Sequence, residues 1–276
     1  MTLITRIFTE PDAAQQENTV PRRSRKSARG LSDRRSDPLR TADRAIQRRR
    51  NQLPAFAPLL EELEITGWSS HRDELAGNFH DWLPLADGGV LVALGKAVES
   101  AAGDPIDAAL VAQSIWAAIR SHALHTGDAG TIVSLVSKTW GSGSIGGAAA
   151  SVAIGIVDPI GGRIHVAVAG HCLAIRVRAA TCETLRTNGF PVGAQPATHY
   201  RHQQFQLRPR ERFVLFTAMN ASAAVAIENS IGRHFANVSA ESHRKMTATE
   251  TLKHLRGVVE NLDADVSTSG LVVRRR

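Results

Sequence analysis

The sequence predicts an α+β domain with many antiparallel strands and with helices grouped between the early and late strands. Short apolar or alternating segments recur along the chain, and turn residues separate most of them. Helical patterns occur in two groups, whereas a parallel βαβ fold alternates single strands with single helices. No internal repeat is visible. These three observations favour helices layered on the faces of antiparallel sheets.

The first half of the domain is predicted to contain two strands and then two helices. LEITGWS (63–69) alternates apolar and polar residues, as half-buried strands do, and GGVLVALG (88–95) is a short apolar run between glycines. Residues 105–124 follow a helical period, and a second helix is predicted at 129–140. The apolar positions of the first helix are Ile106, Leu110, Ile115, Ile119 and Leu124.

The second half is predicted to contain mainly strands, followed by two helices and a last strand. Turn residues such as Asp158-Pro-Ile-Gly161 and Pro209-Arg210 separate neighbouring strands. The predicted strands are 147–158, 161–170, 172–179, 181–186, 202–208 and 211–217. The helices are predicted at 222–236 and 240–260, and the last strand at 269–275.

The positive charge is confined to the N-terminal segment. The net charge is +7, and residues 1–50 hold 13 basic and 6 acidic residues, so the other 226 residues are neutral overall. Residues 1–40 are polar, rich in arginine and interrupted by proline, which predicts a disordered basic arm. A linker helix is predicted at 41–58, and the domain proper at 59–276. The arm is interpreted mainly as a solvated segment, although residues 22–50 could bind nucleic acid or an anionic surface.

The cysteine count and the hydropathy pattern indicate a cytoplasmic protein. Cys172 and Cys182 are the two cysteines, and both are predicted to be buried reduced thiols rather than a disulfide framework. The N-terminus lacks a long apolar segment, so no signal peptide is predicted. The longest apolar run, residues 148–157, is about half as long as a membrane helix requires.

Five segments, in order, carry motifs that are known together from one protein family. AGNFHDW resembles a Gly-Asp opening, and LVALGKAVES resembles a strand ending in Gly-Asp-Val-Ser-Gly. IVDPIGGRIHVAVAGH matches a hairpin before Ala-Gly-His, FPVGAQP resembles Pro-Leu-Gly, and LRPRERFVLFTAMNASA resembles a Thr-Asp-Gly segment. The chain thus resembles the PPM-type metal-dependent protein phosphatases, in particular the bacterial stage II sporulation E branch. The resemblance implies an αββα sandwich of two antiparallel β-sheets flanked by helices, over roughly residues 60–276.

The resemblance also implies that the metal-binding carboxylates are missing. Such phosphatases use two Mg²⁺ or Mn²⁺ ions to generate a hydroxide and hold the phosphate, and hard cations require oxygen ligands. The family's first three aspartates correspond to Asn78, Lys96 and Ala218, and its terminal pair to Val266 and Ser267. No catalytic residue and no metal or other cofactor is therefore expected. If the metal ligands have been assigned to the wrong positions, the alternative ligand candidates are the carboxylates of Asp73, Asp81, Asp263 and Asp265.

Lys96 is the most informative of these replacements. An ammonium about 4 Å from a metal ion costs roughly 4 kcal/mol per unit of metal charge at an effective dielectric near 20. Two placements of Lys96 are open: a side chain exposed at a loop, or an ammonium that occupies the vacated space and pairs with Asp81 or another acid. Asp81 itself is interpreted as a structural residue at a strand end.

Other candidate sites are weaker. His71, His80 and His171 could form a replacement metal site, but their spacing matches no familiar zinc pattern, and His171 is interpreted as a framework residue. Arginines between 201 and 212 are predicted to form a solvated strand face that could bind a phosphorylated partner. They are Arg201, Arg208, Arg210 and Arg212.

Three functions follow, and the sequence ranks them. The first is a pseudophosphatase that binds a signalling protein or phosphoprotein as a regulatory module. The second is an active but divergent Mg²⁺- or Mn²⁺-dependent protein serine/threonine phosphatase. The third is an adaptor that binds nucleic acid or an anionic surface through the basic arm.

Overall fold

The computed structural model describes residues 54, 60–69, 77–98, 105–141, 148–179, 181–186, 189–195, 198–262 and 268–276. The predicted arm at 1–40 and all of the predicted linker helix except Pro54 lie outside these residues, so both remain predictions, as does the domain boundary at 59. Within the described part, no helix is both long enough and apolar enough to cross a membrane.

Two five-stranded antiparallel sheets form the centre of the described part. Sheet A has the strand order β1-β10-β9-β6-β7, and sheet B has the order β2-β3-β4-β5-β8. The first five strands are β1 Leu63–Ser69, β2 Asn78–Pro84, β3 Val90–Val98, β4 Ala149–Val157 and β5 Arg163–Ala169. The others are β6 Leu173–Arg178, β7 Thr181–Thr184, β8 Gln203–Gln206, β9 Arg212–Phe216 and β10 Ser269–Arg275.

Helices cover the outer face of each sheet. The described helices are α1 Pro105–Ala123, α2 Ala129–Gly141, α3 Ala221–Ala236, α4 Ala240–Lys245 and α5 Ala248–Glu260. α1 and α2 pack on sheet B, whereas α3 and α5 pack on sheet A. The layers therefore run helix, sheet, sheet, helix, and the predicted αββα sandwich is confirmed.

Strands buried on both faces explain the apolar runs in the sequence. Val90, Val92 and Leu94 of β3 point between the sheets, while Leu91 and Ala93 point towards α1 and α2. β9 is likewise divided between the inner core and the core under α3 and α5. Because successive side chains alternate between two apolar environments, these strands need no polar face.

The structure corrects three details of the predicted elements. β8 and β9 flank the turn at 209–210 as predicted, but β8 pairs with β5 and β9 pairs with β6 and β10, so this turn crosses between the sheets. The predicted helix at 240–260 is two helices, because Thr247 and Glu250 form a capping box that starts α5. Leu110 and Leu124, predicted on the apolar face of the first helix, are 56% and 74% exposed.

Arg212 also departs from the prediction of a solvated arginine face. Arg201, Arg208 and Arg210 are exposed, but Arg212 is buried beneath α5. Its guanidinium donates to Thr251 Oγ1 at 2.8 Å and to the carbonyl oxygen of Met246 at 2.7 Å. Burial lowers the pKa of Arg212 to about 10. This arginine therefore fastens β9 to the segment between α4 and α5 rather than facing a partner.

Candidate functional site

Of the predicted site positions, Asn78, Lys96 and Ala218 are described, and the first two face each other in sheet B. Asn78 begins β2, and Lys96 lies directly opposite it on β3. Ser151 of β4 lies opposite Lys96 on its other side. Residues opposite each other in a sheet share a face, so the side chains of Asn78, Lys96 and Ser151 form a row on sheet B. Asn78 donates through Nδ2 to Ser269 Oγ on sheet A at 3.0 Å, which places the row between the two sheets.

A chain of hydrogen bonds links this row to sheet A. Ser269 Oγ lies 2.6 Å from Ser69 Oγ, and Ser69 Oγ lies 2.8 Å from His80 Nδ1. Gly67 makes room for the imidazole, since a Cβ there would lie 2.4 Å from His80 Cδ2. Asn78 and Ser269 have no solvent exposure. The chain of Asn78, Ser269, Ser69 and His80, here called the cross-sheet chain, contains an amide, two hydroxyls and an imidazole but no carboxylate.

Lys96 is buried, so the predicted exposed placement is wrong. The residue is 7% exposed and lies on the same sheet face as Asn78. Its position between the sheets brings its charge near Cys172. Burial raises the pKa of the Cys172 thiol, and the positive charge of Lys96 opposes part of this increase. Lys96 therefore places an amine in the space between the sheets.

Asp81 does not provide the predicted partner for Lys96. It lies three residues along β2 from Asn78, so its side chain points to the other face of sheet B, towards α1. Asp81 is 1% exposed and accepts from Trp116 Nε1 at 2.9 Å and from Arg120 Nε and Nη2 at 2.6 and 2.8 Å. This hydrogen bonding raises the pKa of Arg120. These contacts are those of a structural residue, but Asp81 lies in the middle of β2 and not at the predicted strand end.

Ala218 follows β9 and is buried against an apolar cluster. It is 4% exposed and packs in the core that contains Ile227 and Val259 of the helices on sheet A. The preceding Thr217 joins this strand end to β10, because its Oγ1 accepts from Ser269 N at 2.8 Å. Asp73, Asp263, Asp265, Val266 and Ser267 lie outside the described residues.

The two described histidines of the predicted replacement site, His80 and His171, belong to no metal cluster of described residues. His71 lies outside the described residues, His80 belongs to the cross-sheet chain, and His171 N donates to Ser151 Oγ at 3.0 Å. Gly170, with φ of +71°, allows this turn, and a Cβ on it would lie 2.4 Å from Ser151 Oγ. Neither His80 nor His171 joins a trio of converging ligands in the described part of the chain.

Two hollows open near the helices that cover sheet A. One, of about 490 Å³, is lined in part by His171, Cys172 and Phe190. The other, of about 360 Å³, is lined in part by Ala218 and Leu262. Phe190 and Leu262 are 54% and 42% exposed, so each hollow presents apolar surface at its rim.

A second polar cluster lies on the outer side of sheet B. One ligating atom from each of Asp128, His165 and His202 lies within 4.8 Å of the other two. Burial and the neighbouring His202 lower the pKa of His165. Burial alone would raise the pKa of Asp128, but hydrogen bonds to Thr131 and the charge of His202 outweigh it and lower the pKa. This trio could not be predicted from the sequence, because its members are far apart along the chain and follow no metal motif.

Comparison with known proteins identifies the family. The profile described as "Stage II sporulation protein E (SpoIIE)" matches residues 87–268, well over half of the chain. The chain belongs to the SpoIIE family. No curated protein sequence matches this SpoIIE-family chain.

Solved structures support the same fold for this SpoIIE-family domain. The SiaA-PP2C domain of Pseudomonas aeruginosa is 17% identical with a TM-score of 0.64, and the match covers 89% of this chain and 99% of that one. The RsbU and RsbW domains of Rv1364c from Mycobacterium tuberculosis are 17% identical with a TM-score of 0.60, covering 79% and 61%. The SpoIIE phosphatase-domain structure from Bacillus subtilis is 10% identical with a TM-score of 0.60, covering 79% and 64%. The chain thus spans less than two thirds of the latter two structures.

The contacts of Asp81 generate a first prediction. Asp81→Asn keeps the shape of the side chain but removes the charge that holds Arg120 and Trp116 of α1, so we expect the free energy of unfolding to fall by about 1–3 kcal/mol. Chemical denaturation with and without Mn²⁺ measures this effect. We expect the same loss in both conditions, because Asp81 points away from the space between the sheets. A loss that appears only with Mn²⁺ would instead identify Asp81 as a metal ligand.

Proposed function

We propose that this SpoIIE-family chain is a pseudophosphatase. It keeps the αββα fold but lacks metal-dependent phosphatase chemistry, and it acts as a regulatory or partner-binding module in bacterial signalling. The observation that carries the proposal is the facing pair of Asn78 and Lys96 between the sheets, with Ala218 at the neighbouring strand end.

The donor groups at these positions do not suit a pair of Mg²⁺ or Mn²⁺ ions. Such ions take oxygen ligands, mainly carboxylates and water. Asn78 offers a neutral amide whose nitrogen already donates to Ser269, Ala218 offers a methyl group, and Lys96 offers an amine. A protonated Lys96 near an ion would cost roughly 4 kcal/mol per unit of metal charge at about 4 Å. Ligand loss and charge repulsion therefore act in the same direction.

The same residues can instead make the domain a rigid binding platform. The cross-sheet chain joins β1 and β10 of sheet A to β2 of sheet B through hydrogen bonds, which supports a rigid domain. The apolar rims at Phe190 and Leu262 offer surface for a protein partner. Structures with this fold include the cell fate determinant SpoIIE and a protein described under the bacterial stressosome. A signalling protein or phosphoprotein is accordingly the proposed class of partner.

The alternative is an active, divergent phosphatase that uses other carboxylates. Of the alternative ligand candidates, Asp81 is turned towards α1 and is held by Arg120 and Trp116. This alternative therefore depends on Asp73, Asp263 and Asp265. Measured activity separates it from the proposed function.

The central prediction concerns wild-type activity. We expect the full chain to show no Mn²⁺-dependent hydrolysis of an aryl phosphate or a phosphoserine peptide. We also expect that Mn²⁺ bound between the sheets makes no contribution to the melting temperature. His202→Ala is the matched control, because it removes one member of the cluster of Asp128, His165 and His202 on the outer side of sheet B. Any effect of Mn²⁺ bound at that cluster should disappear in this variant. Turnover that persists in His202→Ala would defeat the proposed function and support the active phosphatase.

A third prediction concerns a variant in which carboxylates are restored to the candidate site. Asn78→Asp with Lys96→Asp places two carboxylates opposite each other, so we expect the metal-free protein to lose about 1–3 kcal/mol of stability. Mn²⁺ at 100 times its dissociation constant should then return about 2.7 kcal/mol. Thermal unfolding with and without Mn²⁺ provides the measurement.

The control for this restoration is Lys96→Met, which removes the amine without adding a ligand. We expect Mn²⁺ to leave its melting temperature unchanged. If the double variant folds and responds to Mn²⁺ no more than Lys96→Met does, then Asn78 and Lys96 do not occupy the metal-ligand positions.

A further inference from the structure

Asp128, His165 and His202, here called the outer trio, come from three different elements. Asp128 precedes α2, His165 lies on β5, and His202 precedes β8. β5 places Ile164 and Val166 in the inner core, so His165 between them points to the outer face of sheet B. The rings of His165 and His202 lie 5.1 Å apart between centroids. The outer trio is therefore separated from the space between the sheets by sheet B itself.

Hydrogen bonds hold the carboxylate of Asp128 in a fixed orientation. Its Oδ1 accepts from Thr131 N at 2.6 Å and caps α2, while its own backbone N donates to Thr126 Oγ1 at 3.2 Å. The other oxygen, Oδ2, lies 2.6 Å from His202 Nδ1. One carboxylate oxygen is thus used by the helix, and the other is directed at the imidazoles.

The segment that carries His202 is also fixed against α2. Tyr200 N donates to Ser134 Oγ at 2.9 Å. Gly130 allows close approach of the backbones, since a Cβ there would lie 2.6 Å from the carbonyl oxygen of Tyr200. Loss of this approach would move His202 away from Asp128, so the first turn of α2 positions two of the three ligands.

Two imidazole nitrogens and one carboxylate oxygen are a donor set for a divalent transition metal. Zinc binds such atoms at about 2.0–2.2 Å, and sites with three protein ligands leave a position open for water. The ligating atoms lie within 4.8 Å of one another, so small side-chain rotations would allow all three to reach one ion at bond lengths of about 2.0–2.2 Å. A bound metal would replace the proton between Asp128 Oδ2 and His202 Nδ1. If His202 is a neutral imidazole, this proton moves to Nε2 of the same ring. If His202 is an imidazolium, the proton is released to solvent.

Some charges around the outer trio oppose a bound cation, and others favour it. The N-terminus of α2 carries partial positive charge, but the capping carboxylate of Asp128 compensates it locally. Arg163 is exposed, so solvent screens its repulsion of a cation. With neutral imidazoles, the outer trio carries one negative charge, which favours a divalent cation.

We propose that Asp128, His165 and His202 form a binding site for one zinc ion, with an open coordination position, on the outer face of sheet B. The site is independent of the pseudophosphatase proposal, because it shares no residue with the cross-sheet chain. A bound ion would tie α2, β5 and the segment before β8 together at the edge of the domain.

Zinc titration of the metal-stripped full chain, followed by calorimetry, tests the site. We expect wild type to bind one equivalent of zinc sulfate, and His202→Ala and Asp128→Asn each to weaken binding by about tenfold or more. Asp128→Asn retains an oxygen that can cap α2, so its effect reports ligation rather than loss of the helix. Residues 1–50 contain no histidine or cysteine, which removes the arm as a competing soft-ligand site.

Two exposed histidines provide matched controls. His199→Ala removes a histidine three residues before His202. His254→Ala disrupts another histidine pair, His234 and His254, whose rings lie 5.6 Å apart. Both controls should bind zinc as wild type does. The proposal is overturned if wild type binds no equivalent of zinc, or if folded His202→Ala and Asp128→Asn bind it as tightly as the controls. The Asp128–His202 contact would then be an ion pair alone.

Discussion

The antiparallel register of β2 against β3 places Asn78 directly opposite Lys96, and both residues are buried between the two sheets. A buried amide and a buried amine have to be accommodated by neighbouring polar groups, because desolvation without partners costs several kcal/mol. The hydroxyls of Ser69 and Ser269 lie where they extend this polar region into sheet A. Among the described residues, the centre of the sandwich therefore contains Asn78, Lys96 and the hydroxyls of Ser69 and Ser269.

The fold depends on apolar packing that lies apart from the polar residues of the candidate site. The three cores use aliphatic and aromatic side chains on both faces of most strands, and none of that packing requires a metal. Under the proposed function, carboxylates would be missing from strand ends while the sandwich stays intact. Because fold does not fix function, a protein can keep this fold without the family's reaction.

Much of the fold could be predicted from the sequence, because periodicity reports burial directly. β1, β3, α1 and α2 lie close to their predicted positions. β2 was not predicted as a strand, since NFHDWLP mixes polar and apolar residues: Asn78 and His80 face the polar centre while Asp81 is buried under α1. The crossing of β8 and β9 between sheets depends on long-range pairing, which local patterns do not encode.

The candidate site was predictable only where a motif marked it. Asn78, Lys96 and Ala218 were identified by resemblance, but the burial of Lys96 and the Arg120 contact of Asp81 depend on which sheet face each side chain occupies. Asp128, His165 and His202 meet only because β5 pairs with β8 and α2 packs on β5. Arg212, predicted to be solvated, is buried because α4 and α5 cover its strand.

Anomalous diffraction from crystals of the full chain soaked in Mn²⁺ can locate any bound ion. We expect no anomalous peak between the sheets beside Asn78 and Lys96. One or two manganese peaks within coordinating distance of Asn78, with carboxylates gathered around them, would contradict this expectation.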